Sequence, residues 1–352
     1  MYRKQLSVAI VCALLAPGVW AQDAETTGAP GAATAESQAK TLDAITVTAR
    51  RRSESIQDVP VAISAFGEEA LKDLQASTVE GLQGVVPNMN IVQGRGSANS
   101  VNVFIRGIGQ PDALQTFDPG VGMYVDDVYY SRINGSMFSL FDVQQVEVLR
   151  GPQGTLYGKN STGGAIKVTT KNPFDDTGGS VEATVGNFGR REGKFYVSGE
   201  LNDSVAMSLA GALIDSDGYV TDPATGRKYN GEETQALRAK VAFKVSDSVN
   251  ATLSIDHNKQ DAPLTLGRPT APLLQTDLAF GTVILKPAPT GEYDFRTSTS
   301  FGAGNNQQLT HQGASLAVDW DMNSQWRFKS ISAWRKLKTH SFIDIDASEF
   351  QL

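Results

Sequence analysis

Few side chains in this sequence are spaced for catalysis or for metal binding. The three histidines, His257, His311 and His340, lie far apart along the chain without ligand spacing, so no histidine metal site is predicted. Asp126 and Asp127 are adjacent, and neighbours in a strand face opposite ways, so they are not expected to act together as acid and base. We therefore expect no enzymatic activity, no cofactor and no metal.

Two further motifs lack the residues that their apparent ligands require. The glycine-rich stretch 151–158 has no Lys-Ser/Thr ending and opens no clear helix, so turn formation explains it better than a phosphate-binding loop. The segment 215–218, Asp-Ser-Asp-Gly, lacks the later glutamate of a calcium loop and is expected to be an exposed turn. Neither motif predicts a nucleotide or a cation.

A short β-branched segment over 42–49 is the first candidate for binding another protein. It follows residues 22–42, which contain almost no large apolar side chain and are predicted to be a disordered leader. It precedes three arginines at 50–52, which are expected to be a solvated charge run, with contact to a partner or a membrane surface as the alternative. The segment itself is either an ordinary first strand or a strand that docks onto a partner.

The start of the chain predicts export. Arg3 and Lys4 precede an apolar run over 6–15, and Ala21 ends a small-residue motif, which together predict a signal peptide over 1–21. A transmembrane anchor is the weaker alternative, because the apolar run is too short to cross roughly 30 Å of hydrocarbon. The single cysteine, Cys12, lies within this run, so the mature chain is predicted to contain none.

The composition argues against nucleic acid and leaves the choice between a soluble and a membrane protein open. The 352 residues carry a formal net charge of -7, whereas binding to nucleic acid needs clustered positive charge. A hydrophobic fraction of 40% and a mean hydropathy of -0.22 suit a soluble protein. They also suit a membrane β-barrel, in which residues that face the lumen dilute those that face lipid.

Residues 50–175 have the pattern of a compact α+β domain. Apolar residues at helical spacing near 68–74 and 79–86 predict two short helices. Short alternating runs near 101–105, 146–148 and 166–168 predict strands between them.

Residues 176–352 change to long alternating runs, which predict seven antiparallel strands. These lie near 179–186, 190–200, 205–214, 234–245, 249–258, 307–321 and 325–339. Tight turns alternate with long connections over 215–233 and 259–306, which is typical of outer-membrane barrels; a soluble β-sandwich is the alternative. A plugged barrel needs about 22 strands, so we expect only the first strands of an incomplete transmembrane β-barrel and a chain that is a fragment or a truncated gene product.

Several long motifs in the α+β region carry a family resemblance. The chain reads VFIRG over 103–107, VGMYVDDVYY over 121–130, QVEVLRGPQGTLYG over 145–158 and NSTGGAIKVTTKNP over 160–173. These stretches resemble the plug domain of TonB-dependent outer-membrane receptors. The order of signal peptide, Ton box, plug and barrel in that family is similar to the order of the segments in this chain.

The resemblance implies a coupling segment, the Ton box, at residues 43–49. Its candidate TonB-binding residues are Asp43, Ala44, Ile45, Thr46, Val47 and Thr48. An extended β-branched segment can add itself to the sheet edge of a partner through main-chain hydrogen bonds. The implied partner is TonB, with the ExbB-ExbD motor behind it.

The resemblance also implies two arginines that fasten the plug and a set of ligand contacts. Arg106 and Arg150 match family arginines that meet acidic groups of the barrel, and pairing with Glu147 inside the plug is the alternative. The candidate ligand contacts, taken from the loops expected at the top of the plug, are Arg95, Gln110, Asp112, Gln115, Tyr130 and Arg132.

The implied function is active uptake of a scarce nutrient across the outer membrane of a Gram-negative bacterium, in contact with outer-membrane lipids. A ferric siderophore, an iron chelate, is the foremost small-molecule substrate, and carbohydrate and haem are alternatives. The rival class is a surface-binding outer-membrane protein that does not transport. The two classes differ in that such a protein would not need a Ton box.

Overall fold

The computed structural model describes residues 45–93, 100–113, 116–135, 140–277, 281–302 and 305–350. The expected signal peptide, the expected leader, and Asp43 and Ala44 of the expected Ton box lie outside these ranges. Within them, no helix is both long enough and apolar enough to cross a membrane.

Short strands and helices make up the N-terminal domain, which we call the plug. Its strands are β1 Thr46–Val47, β2 Glu54–Ser55, β3 Ile63–Gly67, β4 Met89–Gln93, β5 Val101–Ile105, β6 Ile108–Gly109, β7 Val121–Val125, β8 Val128–Tyr130, β9 Val143–Arg150 and β10 Gly164–Thr170. Its helices are α1 Glu68–Asp73, a 3-10 helix Val79–Leu82, and α2 Gly154–Tyr157. The two predicted helices correspond to α1 and the 3-10 helix. The expectation of turns alone over 151–158 was wrong, because α2 forms one helical turn there.

The plug core lies on a five-stranded sheet with the order β3-β9-β10-β7-β8. Strand β10 pairs parallel to β7 and antiparallel to β9. The strands predicted near 146–148 and 166–168 are present as β9 and β10, but burial does not alternate along them, because residues on both of their faces are buried. Val146, Val148 and Ile166 join side chains of β5 and the 3-10 helix in one apolar cluster.

A seven-stranded antiparallel sheet, which we call the wall, follows the plug. Its strands are β11 Gly178–Val185, β12 Arg191–Asn202, β13 Val205–Ser216, β16 Glu232–Ser246, β17 Val249–Ala262, β20 Gln307–Asp321 and β21 Arg327–His340, and each pairs with the next. The seven predicted strands are therefore confirmed in number, order and approximate bounds.

The connections of the wall divide it into two ends. The tight-turn end carries the links 203–204, 247–248 and 322–326, and the long-loop end carries the turn 186–190 and the loops 217–231 and 263–306. The loops contain short hairpins of their own, namely β14 Val220–Thr221 with β15 Lys228–Tyr229 and β18 Leu273–Asp277 with β19 Gly281–Lys286. Val220, Tyr229, Leu264 and Leu266 form a separate buried cluster, so the loops have a core that does not depend on the plug.

The two faces of the wall differ in polarity. Leu209, Leu237 and Phe243 leave 36% to 47% of their surface exposed, as expected of a face that contacts lipid. Arg238 and Lys240, which alternate with apolar residues of the same strand, point to the plug and form ion pairs with it. The alternation thus separates an apolar outer face from a charged inner face.

Candidate functional site at the plug–wall interface

The described part of the expected Ton box lies along the edge of the plug. Thr46 and Val47 form β1, which pairs antiparallel with β2. The side chain of Val47 is fully buried, whereas its neighbour Thr46 is exposed, because successive side chains of a strand point to opposite faces. Ile45, which precedes β1, is half exposed. The segment therefore presents one residue to solvent and anchors the next in the plug core.

Thr48 attaches the segment to two buried charged residues. Its backbone N–H and its hydroxyl both donate to Oε1 of Glu147, at 2.8 and 2.9 Å. The Nζ of Lys167 donates to the Thr48 hydroxyl at 2.6 Å. Glu147 and Lys167 are direct cross-strand partners on β9 and β10, so the central strands of the plug hold Thr48 between opposite charges.

Asp126 and Asp127 form the turn between β7 and β8. Their φ angles are 48° and 65°, so both residues have the left-handed conformation of a two-residue hairpin turn of type I′. The expectation that they face opposite ways in a strand was therefore wrong. The turn brings both carboxylates to the inner face of the wall, where each meets a wall lysine.

The Asp126 carboxylate joins the wall to the end of β10. Its Oδ2 lies 3.0 Å from the Nζ of Lys240, and its oxygens also accept hydrogen bonds from the N–H and the hydroxyl of Thr170 at 2.9 and 2.7 Å. Lys240 in turn donates to the Thr170 hydroxyl. Burial raises the pKa of Asp126, but Lys240 and Arg238 outweigh burial and lower it overall, so this carboxylate stays ionised.

Asp127 holds three cations from three parts of the chain. Its Oδ1 lies 2.6 Å from Nη1 of Arg51 and 3.1 Å from the Nζ of Lys167, and its Oδ2 lies 2.9 Å from the Nζ of Lys329 on β21. Burial raises the pKa of Asp127, but Lys167, Lys329 and Arg51 overcome that effect and bring it to about 2. A single carboxylate therefore connects the segment after β1, the plug sheet and the wall.

A third ion pair also joins a carboxylate of the plug to a cation of the wall. The Oδ1 of Asp142, which is almost fully buried, lies 2.5 Å from Nη1 of Arg238, and the Arg238 guanidinium is 5.3 Å from the ring centre of Phe141. In all three contacts the plug supplies the carboxylate and the wall supplies the cation.

The fastening residues expected from the resemblance lie elsewhere and have the opposite charge. Arg150 is the last residue of β9 and Arg106 follows β5 with a φ of 53°, close to Gly151. Across the residues that the structure describes, neither arginine forms an ion pair. The alternative pairing with Glu147 is not seen either, because Glu147 binds Thr48 instead. Fastening by these two arginines thus stays a prediction.

The expected ligand contacts are only partly brought together. Gln110 and Arg132 line one small cleft of the plug, and the Asp112 N–H donates to Oε1 of Gln110 at 3.3 Å. Arg132 pairs with Asp118 at 2.9 Å. Arg95 and Gln115 lie outside the described residues.

Tyr130 differs from this group in being buried against the wall. Only 6% of its surface is exposed, its ring centre lies 4.8 Å from that of His311 in an edge-on contact, and the Arg335 guanidinium lies 4.2 Å above it. The expectation of Tyr130 on an open ligand-binding loop is corrected to a contact between plug and wall.

The interface residues were missed because nothing about an isolated aspartate pair identifies its partners. One signal was available: Asp126 and Asp127 separate two short β-branched or aromatic runs, as the residues of a two-residue hairpin turn do. Chemically, the interface is a set of three ion pairs between plug carboxylates and wall cations. Among the described residues, no group of three or more His, Cys, Asp or Glu side chains could hold a metal ion.

A plug sheet that makes ion pairs with the inner face of an antiparallel wall defines the class of this molecule. It is similar to the architecture of TonB-dependent outer-membrane receptors, and the N-terminal domain of this chain matches the plug domain of that family. Residues 55–165 match the family model described as TonB-dependent Receptor Plug Domain.

Similar proteins agree with that assignment. The pesticin receptor of Yersinia pestis is 33% identical over 201 residues, which cover 56% of this chain and 29% of that protein. The catecholate siderophore receptor Fiu of Escherichia coli is 25% identical over 81% of this chain and 36% of its own length. The crystal structure of the ferric yersiniabactin uptake receptor FyuA from Yersinia pestis superposes with a TM-score of 0.65 at 25% identity, covering 79% of this chain and 41% of that one. The chain spans about a third of the length of the curated relatives that it matches.

Proposed function

We propose that this chain acts in TonB-dependent uptake of a scarce small nutrient across the outer membrane, with a ferric siderophore as the substrate class. The relatives described as a catecholate siderophore receptor and as a ferric yersiniabactin uptake receptor support that class. TonB, driven by ExbB-ExbD, would be the partner that supplies the pulling force.

One observation carries the proposal: the segment 45–51 is tied to the wall through the plug. Thr48 is bound to Glu147 and Lys167, and Arg51 and Lys167 share Asp127 with Lys329. A pull on Ile45 would therefore load the contacts between plug and wall, instead of merely extending a loose tail.

The location of these contacts suits a partner on the periplasmic side. Thr48, Arg51 and Lys329 line the same cavity, of about 330 Å³, and Lys329 lies close to the link 322–326 of the tight-turn end. In outer-membrane barrels the short turns face the periplasm, where TonB operates.

The order of events follows from burial. Ile45 is the accessible handle, and drawing it out would next expose Val47 and break the hydrogen bonds of Thr48. Each hydrogen bond to a charged group contributes about 1.5–3 kcal/mol, so the segment is held firmly but reversibly. Arg51 would leave Asp127 last, which weakens the remaining contact with Lys329.

A proline at the handle tests the proposal. Ile45→Pro keeps the Ile45 carbonyl, which accepts from the Ile56 N–H at 2.9 Å, but removes the N–H that a partner strand would use. We expect co-precipitation with the periplasmic domain of TonB to fall at least tenfold for Ile45→Pro and to persist for the matched variant Ile45→Val. Equal capture of the two variants would exclude strand addition at this residue.

Deletion of residues 43–48 separates the proposal from its rival. A surface-binding protein that does not transport should keep its ligand binding and all of its biological activity after the deletion. A TonB-dependent receptor should keep ligand binding but lose accumulation of the ligand inside the cell.

A further inference from the structure

Four aromatic side chains form a row at the long-loop end of the wall, which we call the aromatic row. Ring centres are separated by 5.8 Å between Phe188 and Tyr219, 5.9 Å between Tyr219 and Phe295, and 5.0 Å between Phe295 and Tyr293. Phe188, Tyr219 and Phe295 expose 58%, 44% and 52% of their surface. The row joins the turn 186–190 to both long loops, so it is not a by-product of one strand.

Two residues of the aromatic row have a strained backbone conformation that hydrogen bonds to neighbouring loops maintain. Phe188 and Phe295 have φ angles of 57° and 58°, a left-handed conformation that bulky residues rarely adopt. The Phe188 carbonyl accepts from the N–H of Asp217 at 2.9 Å, and the Phe295 carbonyl accepts from the N–H of Thr221 at 2.9 Å. Strain of this kind persists only where surrounding contacts impose it, and it clusters at functional sites.

Hydrogen bonds also orient the two tyrosines. The side-chain amide of Asn230 donates to the Tyr219 hydroxyl at 3.2 Å, and the Tyr293 hydroxyl lies 2.7 Å from that of Thr297. The rings are thus presented in a preformed arrangement, which lowers the entropic cost of binding a ligand.

A polar cavity of about 330 Å³ begins at Phe188 and Tyr219 and reaches the plug. Its volume lies at the lower end of the range for small-molecule sites. Amide and hydroxyl side chains dominate its lining: Gln93, Asn187, Ser216, Asn230, Thr234, Gln260 and Thr265. Such groups bind neutral hydroxyl, amide or carbonyl groups of a ligand.

The charged groups of the cavity disfavour an anion. Glu80 of the plug and Glu232 of the wall both line it, and the only cationic lining residue among those described is Arg190. The guanidinium of Arg190 is already bound by Glu192 at 2.7 Å and by Glu232 at 3.3 Å. An anionic ligand would therefore meet carboxylates without a free cation to balance them.

We propose that the aromatic row and this cavity bind a small molecule that carries flat rings and no net negative charge. Flat rings stack on exposed aromatic faces, and a cationic group gains further from the electron-rich faces. The inference rests on the proposed uptake function and narrows its substrate class.

Three single-ring probes with the same ring and different charge test the proposal. These are phenyl β-glucoside as the neutral ring, benzyltrimethylammonium as the cation and benzoate as the anion. Saturation-transfer NMR with the detergent-solubilised full chain should detect saturable binding of the first two, and at least tenfold weaker binding of benzoate. Equal or stronger binding of benzoate, or no saturable binding by any probe, would overturn the proposal.

Asparagine variants separate ring binding from folding. Asparagine tolerates the left-handed backbone, so Phe188→Asn and Phe295→Asn should raise the unfolding temperature while weakening the binding of both favoured probes at least fivefold. The control Phe117→Asn removes an exposed phenylalanine of the plug and should leave binding unchanged. Unchanged binding in the two row variants would contradict the proposed site.

A charge variant tests the selectivity. Glu232→Gln removes one of the two partners of Arg190 and should strengthen benzoate binding severalfold. If benzoate instead stayed as weak relative to the other two probes as before, the argument that the carboxylates of the cavity exclude anions would be contradicted. TonB capture through Ile45 depends on the other end of the wall. Failure of ring binding with intact capture would therefore remove this inference alone, and loss of capture alone would remove the uptake proposal.

Discussion

Asp127 of the plug and Lys329 of the wall are in direct contact, with 2.9 Å between Oδ2 and Nζ. The other oxygen of the same carboxylate binds Arg51 and Lys167. Because only 6% of the Asp127 side chain is exposed, each cation that leaves raises the electrostatic cost of leaving the carboxylate buried. The contact between plug and wall and the attachment of the N-terminal segment are therefore energetically coupled.

Asp127→Asn should destabilise the protein by about 3 to 5 kcal/mol, the usual effect of removing one partner from a buried ion pair. Asparagine tolerates the left-handed φ of 65° at this position, so the backbone should not contribute to the loss. Chemical denaturation, followed as the free energy of unfolding, is the measurement. The control is Asp118→Asn, because Asp118 forms exposed pairs with Arg132 and Lys159 that solvent screens; a loss as large as that of Asp127→Asn would contradict the prediction.

The stabilising effect of Asp127 should depend on pH in a narrow acidic window. Its pKa in the folded protein is about 2, against an ordinary value of 3.8, so its contribution is fully present above pH 4 and is lost as the pH falls toward 2. The size of the shift corresponds to about 2 kcal/mol. This is less than the effect of Asp127→Asn because the asparagine amide adds two N–H donors among three cationic partners, whereas a protonated carboxyl adds one. Free energies of unfolding between pH 2 and pH 5 should fall more steeply for the wild type than for Asp127→Asn, and parallel curves would argue against the assignment.

Thr48→Val should release the N-terminal segment. The substitution keeps the shape of the side chain but removes the hydroxyl shared by Glu147 and Lys167, which should cost the attached state about 1 to 3 kcal/mol. Capture by the periplasmic domain of TonB should therefore increase, the opposite of the effect of Ile45→Pro. Thr46→Val is the matched control, because no side-chain hydrogen bond of Thr46 is seen within the described residues. Weaker or unchanged TonB capture by Thr48→Val would contradict the idea that Thr48 restrains the N-terminal segment.

The strands of the wall could be predicted because apolar residues and polar residues alternate along them, as the different surroundings of the two faces require. In β16, Leu237 faces outward while Arg238 and Lys240 face the plug, and any register slip by one residue would exchange the two environments. The tight and long connections could be predicted as well, because polar and glycine-rich residues interrupt the alternation between one strand and the next.

The partners of the interface charges could not be predicted from the sequence. Asp127 is separated from Lys329 by 202 positions, and no local pattern specifies which wall strand faces the hairpin turn. Asp142 and Arg238 present the same difficulty. Which side of the interface carries the carboxylates depends on tertiary contacts, so the ion pairs that are seen could not be predicted, and fastening by Arg106 and Arg150 stays a prediction.

The outer face of the wall should tolerate charge at its edge and reject it at its centre. Leu209 lies near the middle of β13 and Leu201 lies beside the tight link 203–204, and both are exposed, by 40% and 67%. If this face contacts lipid, Leu209→Lys should reduce insertion by about 2–4 kcal/mol, whereas Leu201→Lys should cost at most about 1 kcal/mol, because the penalty falls toward the interface. Membrane fractionation of the expressed chain, with heat-modifiability on gels, measures both. Equal recovery of the two variants in the membrane fraction would mean that solvent or another protein, and not lipid, covers this face.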